Sequence, residues 1–388
     1  MEQFIKNGRE NGVHVSSFSL PGIWLDQKPE WGSVDEAGQP NQYIFGRKVS
    51  CSACDDYMRY LLAAHEAVFT KYQPRWWGWD GRWMSHWEVP LYRPGPKGVG
   101  VDPCFAKNHG HLPGDNFYRE WKNIQNFLAQ IRRRHPGMCL EQYCGLKRGG
   151  PWALAHLNAD DGYYESNGAD MNRLQTWHNQ NDRFRPVYKN YAALFGENSR
   201  SFQFNLLSTI SNTAYCQIGP GYKALALEEN RDFLKKWRAW ATTNLACLKV
   251  KRDLFECPGY SPIDGSAHII GDHGFLFLFP GGFDKKAKPE KTLRASIPLN
   301  RWIGLKEDRA AIYQITEVHP HAGTIRGTCC YGEDFLYDMP QDSAVLLALT
   351  PVPADQQPRP AAMSKPDSEV IVTKAFATTG FGGEGKFW

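Results

Sequence analysis

Apolar positions in the first 220 residues follow two alternating spacings. CDDYMRYLLAAHEAVFTKY and FYREWKNIQNFLAQIRRRHPG repeat apolar residues every three or four positions, which is typical of amphipathic helices. Pro74 and Pro136 follow these segments and predict where each helix ends. Short apolar runs between the helical segments predict strands: VHVSSFSL, WWGWD, MCLEQYCG, DGYYES, SFQFNLLST and AYCQIG. Strands that alternate with helices predict a parallel α/β fold.

The pattern changes after the predicted helix ALEENRDFLKKWRAWATTNLACL. Strand-like runs such as HIIGDHGFLFLFP and RAAIYQITEV then follow one another without helices between them, which indicates an antiparallel β domain. The segment that begins ADQQPRP is rich in Pro, Ala and Gly. We therefore predict three parts: an α/β domain at 1–254, a β domain at 255–352 and a Pro/Gly-rich tail at 353–388.

Composition narrows the function classes. A formal net charge of +4 on 388 residues, with scattered basic residues, does not imply a nucleic-acid partner. No apolar run has the length of a membrane span, and the polar N-terminus does not read as a signal peptide, so the compartment stays open. Aromatic residues make up 13% of the chain, which suits a large core or a surface for flat ligands.

The ten cysteines are irregularly spaced. Cys51 and Cys54 form one C-x-x-C pair, but a structural zinc site of that type needs a second spaced pair. His109, His111 and Asp115 are of the residue types that bind metals, although a loop with a helix-capping Asp115 explains them as well. We favour ordinary buried thiols and predict no metal and no cofactor.

Several carboxylates follow predicted strands. Asp80 ends WWGWD, Glu141 lies in MCLEQYCG, Glu165 lies at the end of DGYYES, and Asp170 comes shortly after. Ligands of parallel α/β folds bind beyond the carboxyl ends of the strands. Paired acids without an obvious Ser or Cys triad indicate glycoside chemistry, in which one carboxylate attacks and another moves the proton. Two groups of residues would contact the sugar: for stacking, Trp76, Trp77, Trp79, Trp83 and Trp87; for its hydroxyls, Arg82, His86, Lys147 and Arg148.

A family resemblance is carried by the order of five segments: SLPGIWLDQKPEWG, CDDYMRYLLAAHEAVFTKY, WWGWDGRW, FYREWKNIQNFLAQIRRRHPGMCLEQYCGLKRGG and YYESNGADMNRLQTW. This succession resembles the alpha-galactosidase-like enzymes of the glycoside hydrolase 36 and 27 clan over most of residues 10–350. The resemblance implies a (β/α)8-type barrel followed by a C-terminal antiparallel β-sandwich. Only about six strand–helix units are visible, so we expect the first two units of the barrel to be absent from this chain. That expectation fits part of a longer product, a wrongly started reading frame or half of a split barrel.

The resemblance also implies residue roles. Asp80 corresponds to the nucleophile, and Glu141 and Cys144 belong to the sugar-binding wall. Two departures stand out: Gly78 replaces a lysine, and Asn167 replaces the aspartate of the Ser-Asp acid/base. An amide cannot act as a general acid, so that role falls to another acid. The implied catalytic set is Asp80, Glu165 and Asp170, with Glu165 preferred as the acid; the substrate-binding set is Trp24, Trp77, Trp79, Arg82, Trp83, Glu141, Cys144, Arg148 and Asn167.

The leading hypothesis is a glycoside hydrolase that cleaves a terminal sugar by a retaining two-carboxylate mechanism. The alternative is a non-catalytic carbohydrate-binding protein on a degenerate glycosidase barrel, because the acid/base motif is altered. A lyase or isomerase acting on a sugar is a third reading. We expect a carbohydrate partner, neither nucleic acid nor membrane, and leave the oligomeric state open.

Overall fold

The structure is a computed structural model that falls into two compact units. Unit 1 comprises residues 1–162 and 183–188, and unit 2 comprises residues 163–182 and 189–388. The structure describes residues 2–10, 16–19, 28–43, 47–79, 103–143, 155–162, 168–181, 188–194, 199–212, 216–220, 222–283, 292–353, 370–374 and 377–378.

Within its described residues, unit 1 combines three α-helices with a parallel sheet. Its helices are α1 (Glu2–Glu10), α2 (Asp55–Tyr72) and α3 (Phe117–Arg134). Its strands are β1 (Ser16–Ser19), β2 (Gln42–Tyr43), β3 (Arg47–Lys48), β4 (Trp76–Trp79), β5 (Cys139–Tyr143) and β6 (Ala159–Gly162). Strands β1, β4, β5 and β6 pair in that order, all parallel, and β2 and β3 form a small antiparallel ribbon.

The helix boundaries of unit 1 follow the sequence signals. Helix α2 ends at Tyr72 and is followed by Gln73, which adopts a left-handed conformation with φ of 43° directly before Pro74. Helix α3 ends one residue before His135, which Pro136 follows. A residue before proline is disfavoured in the α region, so both helices stop where the prolines predict.

Unit 2 begins with helices and two parallel strands. The helices are α4 (Ala169–Asn181), α5 (Ser199–Asn212), α6 (Tyr222–Ala226), α7 (Glu228–Thr243) and α8 (Leu245–Leu248). The strands are β7 (Tyr188–Leu194), whose first residue belongs to unit 1, and β8 (Cys216–Pro220). Strands β7 and β8 pair in parallel.

Two further sheets complete unit 2. Their strands are β9 (Arg252–Leu254), β10 (Ile263–Ile270), β11 (His273–Pro280), β12 (Thr292–Pro298), β13 (Ile312–His319), β14 (Thr324–Cys330), β15 (Asp334–Met339), β16 (Val345–Pro351), β17 (Val370–Lys374) and β18 (Ala377–Thr378). One sheet has the order β14-β13-β16-β11-β10-β9-β18 with antiparallel pairs throughout. The other has the order β15-β12-β17, and its β12–β17 pair is parallel.

Strand β11 has a buried side chain on both of its faces. Leu276 and Leu278 belong to the core shared with residues of the three-stranded sheet, such as Ile297. Phe277 and Phe279 belong instead to the core formed with the helices. Because successive strand residues point to opposite faces, β11 carries apolar side chains on both of its faces. This packing joins the helices after residue 168 to the β-strands, whereas the sequence predicted a boundary at 254.

Two sequence predictions differ from the structure. SFQFNLLST, predicted as a strand, is part of helix α5. Helix α5 is buried along most of its length, so its run of apolar residues hides the helical period. The predicted tail contains β17 and β18, because the β-branched run at 370–373 pairs with β12. Two further points stay predictions: that the parallel strands close into a (β/α)8 barrel, and that the C-terminal sheets form a β-sandwich.

A buried ion pair links the helices of unit 2 to its larger sheet. Arg173 on α4 donates from Nε to Asp264 Oδ1 on β10 at 2.7 Å, and both side chains are almost fully buried. The same guanidinium donates to Ser211 Oγ at 2.9 Å and lies over the ring of Phe279, 4.0 Å from its centroid. A buried charge is tolerated when it is paired and hydrogen-bonded, so each partner makes the burial of the other acceptable.

We expect Asp264→Asn to lower the free energy of unfolding by about 3–5 kcal/mol, because Arg173 would remain buried without its counter-ion. Urea denaturation of the full chain measures this difference. Asp338→Asn is the matched control: Asp338 pairs with Arg294 at 2.5 Å, but its side chain is half exposed. The control should cost about 1 kcal/mol or less. Equal costs for the two variants would contradict the role given to the buried pair.

His268 predicts how stability changes with pH. Burial, followed by the charge of Lys251, lowers the pKa of His268 to about 4. The ring is neutral in the folded state and lies 3.0 Å from Ser211 O. In the unfolded chain the same imidazole binds a proton near pH 6.5. The free energy of unfolding that the neutral ring contributes is therefore fully present above pH 6.5 and is lost as the pH falls toward 4, by about 3 kcal/mol. Melting temperatures between pH 7 and pH 4 should fall less in His268→Gln than in the wild type. His273→Gln is the control, because His273 is exposed at the start of β11, and it should behave as the wild type.

Candidate active site

The carboxyl ends of four parallel strands lie side by side in unit 1. The register places Ser19 beside Trp79, and Trp79 beside Gln142, which pairs with Asp160. In sequence, the predicted nucleophile directly follows Trp79. The residues predicted to catalyse or to contact the sugar that lie outside the described residues are Trp24, Asp80, Arg82, Trp83, His86, Trp87, Cys144, Lys147, Arg148, Glu165 and Asn167.

Trp77 and Trp79 lie in the core between the sheet and the helices. Trp79 is 0% exposed and Trp77 is 8% exposed. The Trp77 ring meets Phe69 of α2 at a centroid distance of 5.0 Å, and the Trp79 ring meets Phe127 of α3 at 5.9 Å. Both rings are on the helix-facing side of β4, so for these two residues the structure supports packing in place of the predicted stacking on a sugar.

A polar network holds the two indoles in this core. Trp79 donates from Nε1 to His65 Nε2 at 3.1 Å, and Trp77 donates to Ser19 Oγ at 3.3 Å. His65 Nδ1 lies 2.8 Å from Leu61 O, so Nδ1 carries the proton and Nε2 accepts. Burial lowers the pKa of His65 and keeps the ring neutral. Sequence reasoning missed this histidine, although it lies on the apolar face of α2.

Glu141 lies on the opposite face of the sheet. Its neighbour Leu140 belongs to the same helix-facing core as Trp77 and Trp79. Alternation along β5 therefore places Glu141 on the other face, beside its register partner Gly78. The Glu141 carboxylate is fully buried, a position that a charged side chain occupies only when its surroundings compensate it. Of the predicted sugar-contacting residues that the structure describes, Glu141 and, by its parity on β4, Trp76 are on this face.

Asp170 makes a structural contact within unit 2. It lies in the first turn of α4, and its Oδ1 accepts a hydrogen bond from the backbone N–H of Phe283 at 2.8 Å. A carboxylate in the first helical turn is also favoured by the helix dipole. The contact ties the start of α4 to the turn after β11. The acid/base role of Asp170 stays a prediction.

No helix among the described residues combines the length and apolar character that a membrane crossing requires. No family model matches the sequence, and no curated protein matches it.

The structure is similar to solved alpha-galactosidases. It matches the galactosidase domain of the alpha-galactosidase-sucrose kinase AgaSK with a TM-score of 0.64 and 12% identity, covering 90% of this chain and 45% of the other. For the alpha-galactosidase from Lactobacillus brevis the TM-score is 0.64 at 12% identity, covering 92% and 47%. For a variant of the GH36 alpha-galactosidase AgaA from Geobacillus stearothermophilus, in complex with raffinose, it is 0.63 at 13% identity, covering 90% and 46%.

These similarities define the class of the fold. The chain has an alpha-galactosidase-like fold, as its sequence resemblance predicted. It spans about half the length of the alpha-galactosidases that it matches. At this level of identity the likeness establishes the fold, and the chemistry has to be argued from the residues.

Replacing Trp79 separates packing from sugar binding. Trp79→Phe removes the indole N–H that reaches His65 and leaves a gap in the core, so we expect the free energy of unfolding to fall by roughly 1–3 kcal/mol. Trp302→Phe is the control, because Trp302 is half exposed in the short turn at Arg301–Ile303 and is not among the predicted site residues. Urea denaturation measures stability, and titration with galactose-containing oligosaccharides measures affinity. If Trp79→Phe lost sugar affinity but kept the stability of the wild type, Trp79 would be a sugar-binding residue.

Proposed function

We propose that this chain carries the sugar-cleaving centre of a retaining glycoside hydrolase that removes a terminal sugar. The observation that supports this most is the alpha-galactosidase-like fold over 90% of the chain, combined with parallel strand ends that are followed in sequence by carboxylates. The neighbour from Geobacillus stearothermophilus binds raffinose, so an oligosaccharide is the substrate class that we propose.

Asp80 is the proposed nucleophile. It comes two positions after Gly78, whose face of the sheet also carries the buried Glu141. We expect the Asp80 side chain on this face, because side chains alternate along a strand. The carboxylate attacks the anomeric carbon, the glycosidic bond breaks, and a covalent glycosyl ester forms. Water then cleaves the ester and regenerates the carboxylate.

Glu165 is the proposed acid/base. It protonates the leaving oxygen in the first step and takes a proton from water in the second. The carboxylate of Asp170 is engaged by the backbone of Phe283, which makes it the less suitable of the two acids for this exchange. A retaining mechanism requires that the carboxyl groups of Asp80 and Glu165 lie roughly 5–5.5 Å apart.

Glu141 is the proposed polar floor of the sugar site. A buried carboxylate accepts hydrogen bonds only and therefore suits sugar hydroxyls, which donate. We infer that Glu141 orients the sugar, and that the carboxylates of Asp80 and Glu165 perform the bond changes.

A second candidate function rests on one residue. Asn167 stands where the resemblance implies the acid/base aspartate, and an amide does not transfer protons. A chain that kept the sugar site and lost the acid would bind carbohydrate without cleaving it.

Kinetics with aryl glycosides test the proposal. Asp80→Asn should reduce turnover to background, because the amide does not form the glycosyl ester. Glu165→Gln should slow cleavage of substrates with poor leaving groups by roughly 10²–10⁴-fold, and should slow departure of an activated aryl group far less. Azide should restore its turnover by forming a glycosyl azide, because azide attacks the ester without a general base.

Asp56→Asn is the control for a removed carboxylate, since Asp56 is exposed on α2 and pairs with Arg59. It should keep wild-type kinetics. Wild-type turnover in Asp80→Asn would show that Asp80 is not the nucleophile. If Asp170→Asn shows the azide behaviour instead, the acid/base role moves to Asp170. Sugar binding without turnover in the wild type would favour the binding protein.

A further inference from the structure

Four side chains with metal-binding atoms meet in unit 1, and none of them belongs to the proposed glycosidase residues. The Sγ atoms of Cys51 and Cys104 and ring nitrogens of His109 and His111 all lie within 4.8 Å of one another. Cys51 precedes α2, and the other three residues lie in the loop at 103–116 before α3.

The distances within this cluster fit ligands of a single ion. Cys104 Sγ lies 3.4 Å from His109 Nδ1, and Cys51 Sγ lies 3.4 Å from His111 Nε2. Tetrahedral zinc, with bonds of about 2.3 Å to sulfur and about 2.0 Å to nitrogen, separates S and N ligands by roughly 3.5 Å. The cluster therefore has the spacing of a tetrahedral Cys₂His₂ site.

Both imidazoles direct an unprotonated nitrogen into the cluster. His109 Nε2 lies 2.7 Å from the carbonyl oxygen of Glu30, and His111 Nδ1 lies 2.7 Å from that of Leu112. A carbonyl oxygen only accepts hydrogen bonds, so these two nitrogens carry the protons. His109 Nδ1 and His111 Nε2 then present lone pairs toward the sulfurs. Histidine ligands of metals are held in the same way, by a second nitrogen that donates to a carbonyl or carboxylate.

The loop backbone is shaped to bring these side chains together. Gly110, between the two histidines, has φ of 73°, a left-handed conformation that glycine adopts without strain. Asn116 Oδ1 accepts a hydrogen bond from the backbone N–H of Cys104 at 2.9 Å. Phe105 N–H donates to Val34 O and Cys51 N–H donates to Trp31 O, at 2.9 Å each. The cluster thus connects three chain segments.

Burial and charge favour a bound cation. Cys51 and Cys104 are 0% exposed and His109 is 2% exposed. The buried carboxylate of Glu120 has Oε1 3.6 Å from Cys51 Sγ. Thiolates and a carboxylate in an apolar core are unfavourable unless positive charge compensates them. A divalent ion supplies that charge.

We propose that Cys51, Cys104, His109 and His111 bind one structural zinc ion that joins the loop at 103–116 to the start of α2. Two thiolates and two imidazoles in a tetrahedral arrangement favour zinc over harder divalent ions. Four protein ligands leave no open position for water or substrate, so the ion stabilises the fold and takes no part in the reaction. This site replaces the C-x-x-C pair considered from the sequence, because Cys54 is outside the cluster. It does not depend on the proposed glycosidase function.

Metal analysis of the full chain tests the site. Protein that is purified with reduced thiols and without chelator should contain one zinc ion per chain, as measured by inductively coupled plasma mass spectrometry. Cys104→Ser and His111→Asn should lose the zinc. Cys54→Ser is the matched control, because Cys54 is also buried, lies three residues from Cys51 and has its thiol outside the cluster. It should keep the full zinc content; loss of zinc in Cys54→Ser with retention in Cys104→Ser would overturn the ligand assignment.

Measurements on the wild type avoid variants that fail to fold. Chelation should lower the melting temperature, and added zinc should restore it, because a metal that binds only the folded chain stabilises it. Cobalt(II) in place of zinc should give the visible absorption bands of tetrahedral sulfur and nitrogen coordination. The proposal is overturned if the reduced wild-type chain binds neither zinc nor cobalt stoichiometrically. A Cys51–Cys104 disulfide in the purified protein without metal would also overturn it.

Discussion

Side chains alternate between the two faces of the parallel sheet, and this alternation decides which residues of unit 1 are able to contact a ligand. On β4 and β5, one parity carries Trp77, Trp79 and Leu140 into the core against the helices. The other parity carries Gly78 and Glu141, which are register partners. A strand cannot present the same residue to both faces, so the indoles that stabilise the helix layer are unavailable to a ligand on the opposite face. Gly78 adds no side chain to the face where Glu141 lies.

Buried polar groups fix the packing of each unit in its own way. In unit 1, neutral His65 accepts the indole N–H of Trp79 and so satisfies a donor that an apolar core would leave unpaired. In unit 2, Arg173 and Asp264 neutralise each other between α4 and β10. Both arrangements also specify one position of the helix, because a shift of the helix would leave a buried donor or charge without its partner. The helices of unit 2 are therefore held to its β-strands by geometry as well as by apolar area.

The proposed zinc site extends this principle to a segment with little regular structure. The loop at 103–116 contains neither a helix nor a long strand, and glycines at positions 110 and 114 have positive φ. Such a loop loses much conformational entropy on ordering. A metal ion bound by three of its residues and by Cys51 would offset that cost. It would also hold the loop against the start of α2, from which Asp55 contacts Arg119 of α3 at 2.6 Å.

The sequence by itself determined the helices with clear apolar periods, the parallel strands around the tryptophan-rich segment, the strand-rich second half and the alpha-galactosidase-like fold. It did so because α2 and α3 each bury one face, end before a proline and alternate with short apolar runs. Tertiary structure decided the rest. Helix α5 is buried on most sides, so its sequence lacks a period, and the apolar run of β11 does not reveal that its Leu and Phe residues face different cores. Cys51 lies more than fifty positions before Cys104, His109 and His111. The sequence offers His109 and His111 as possible metal ligands, but the C-x-x-C pair points to the wrong second cysteine; only the fold brings Cys51 and Cys104 to these histidines, within reach of one ion.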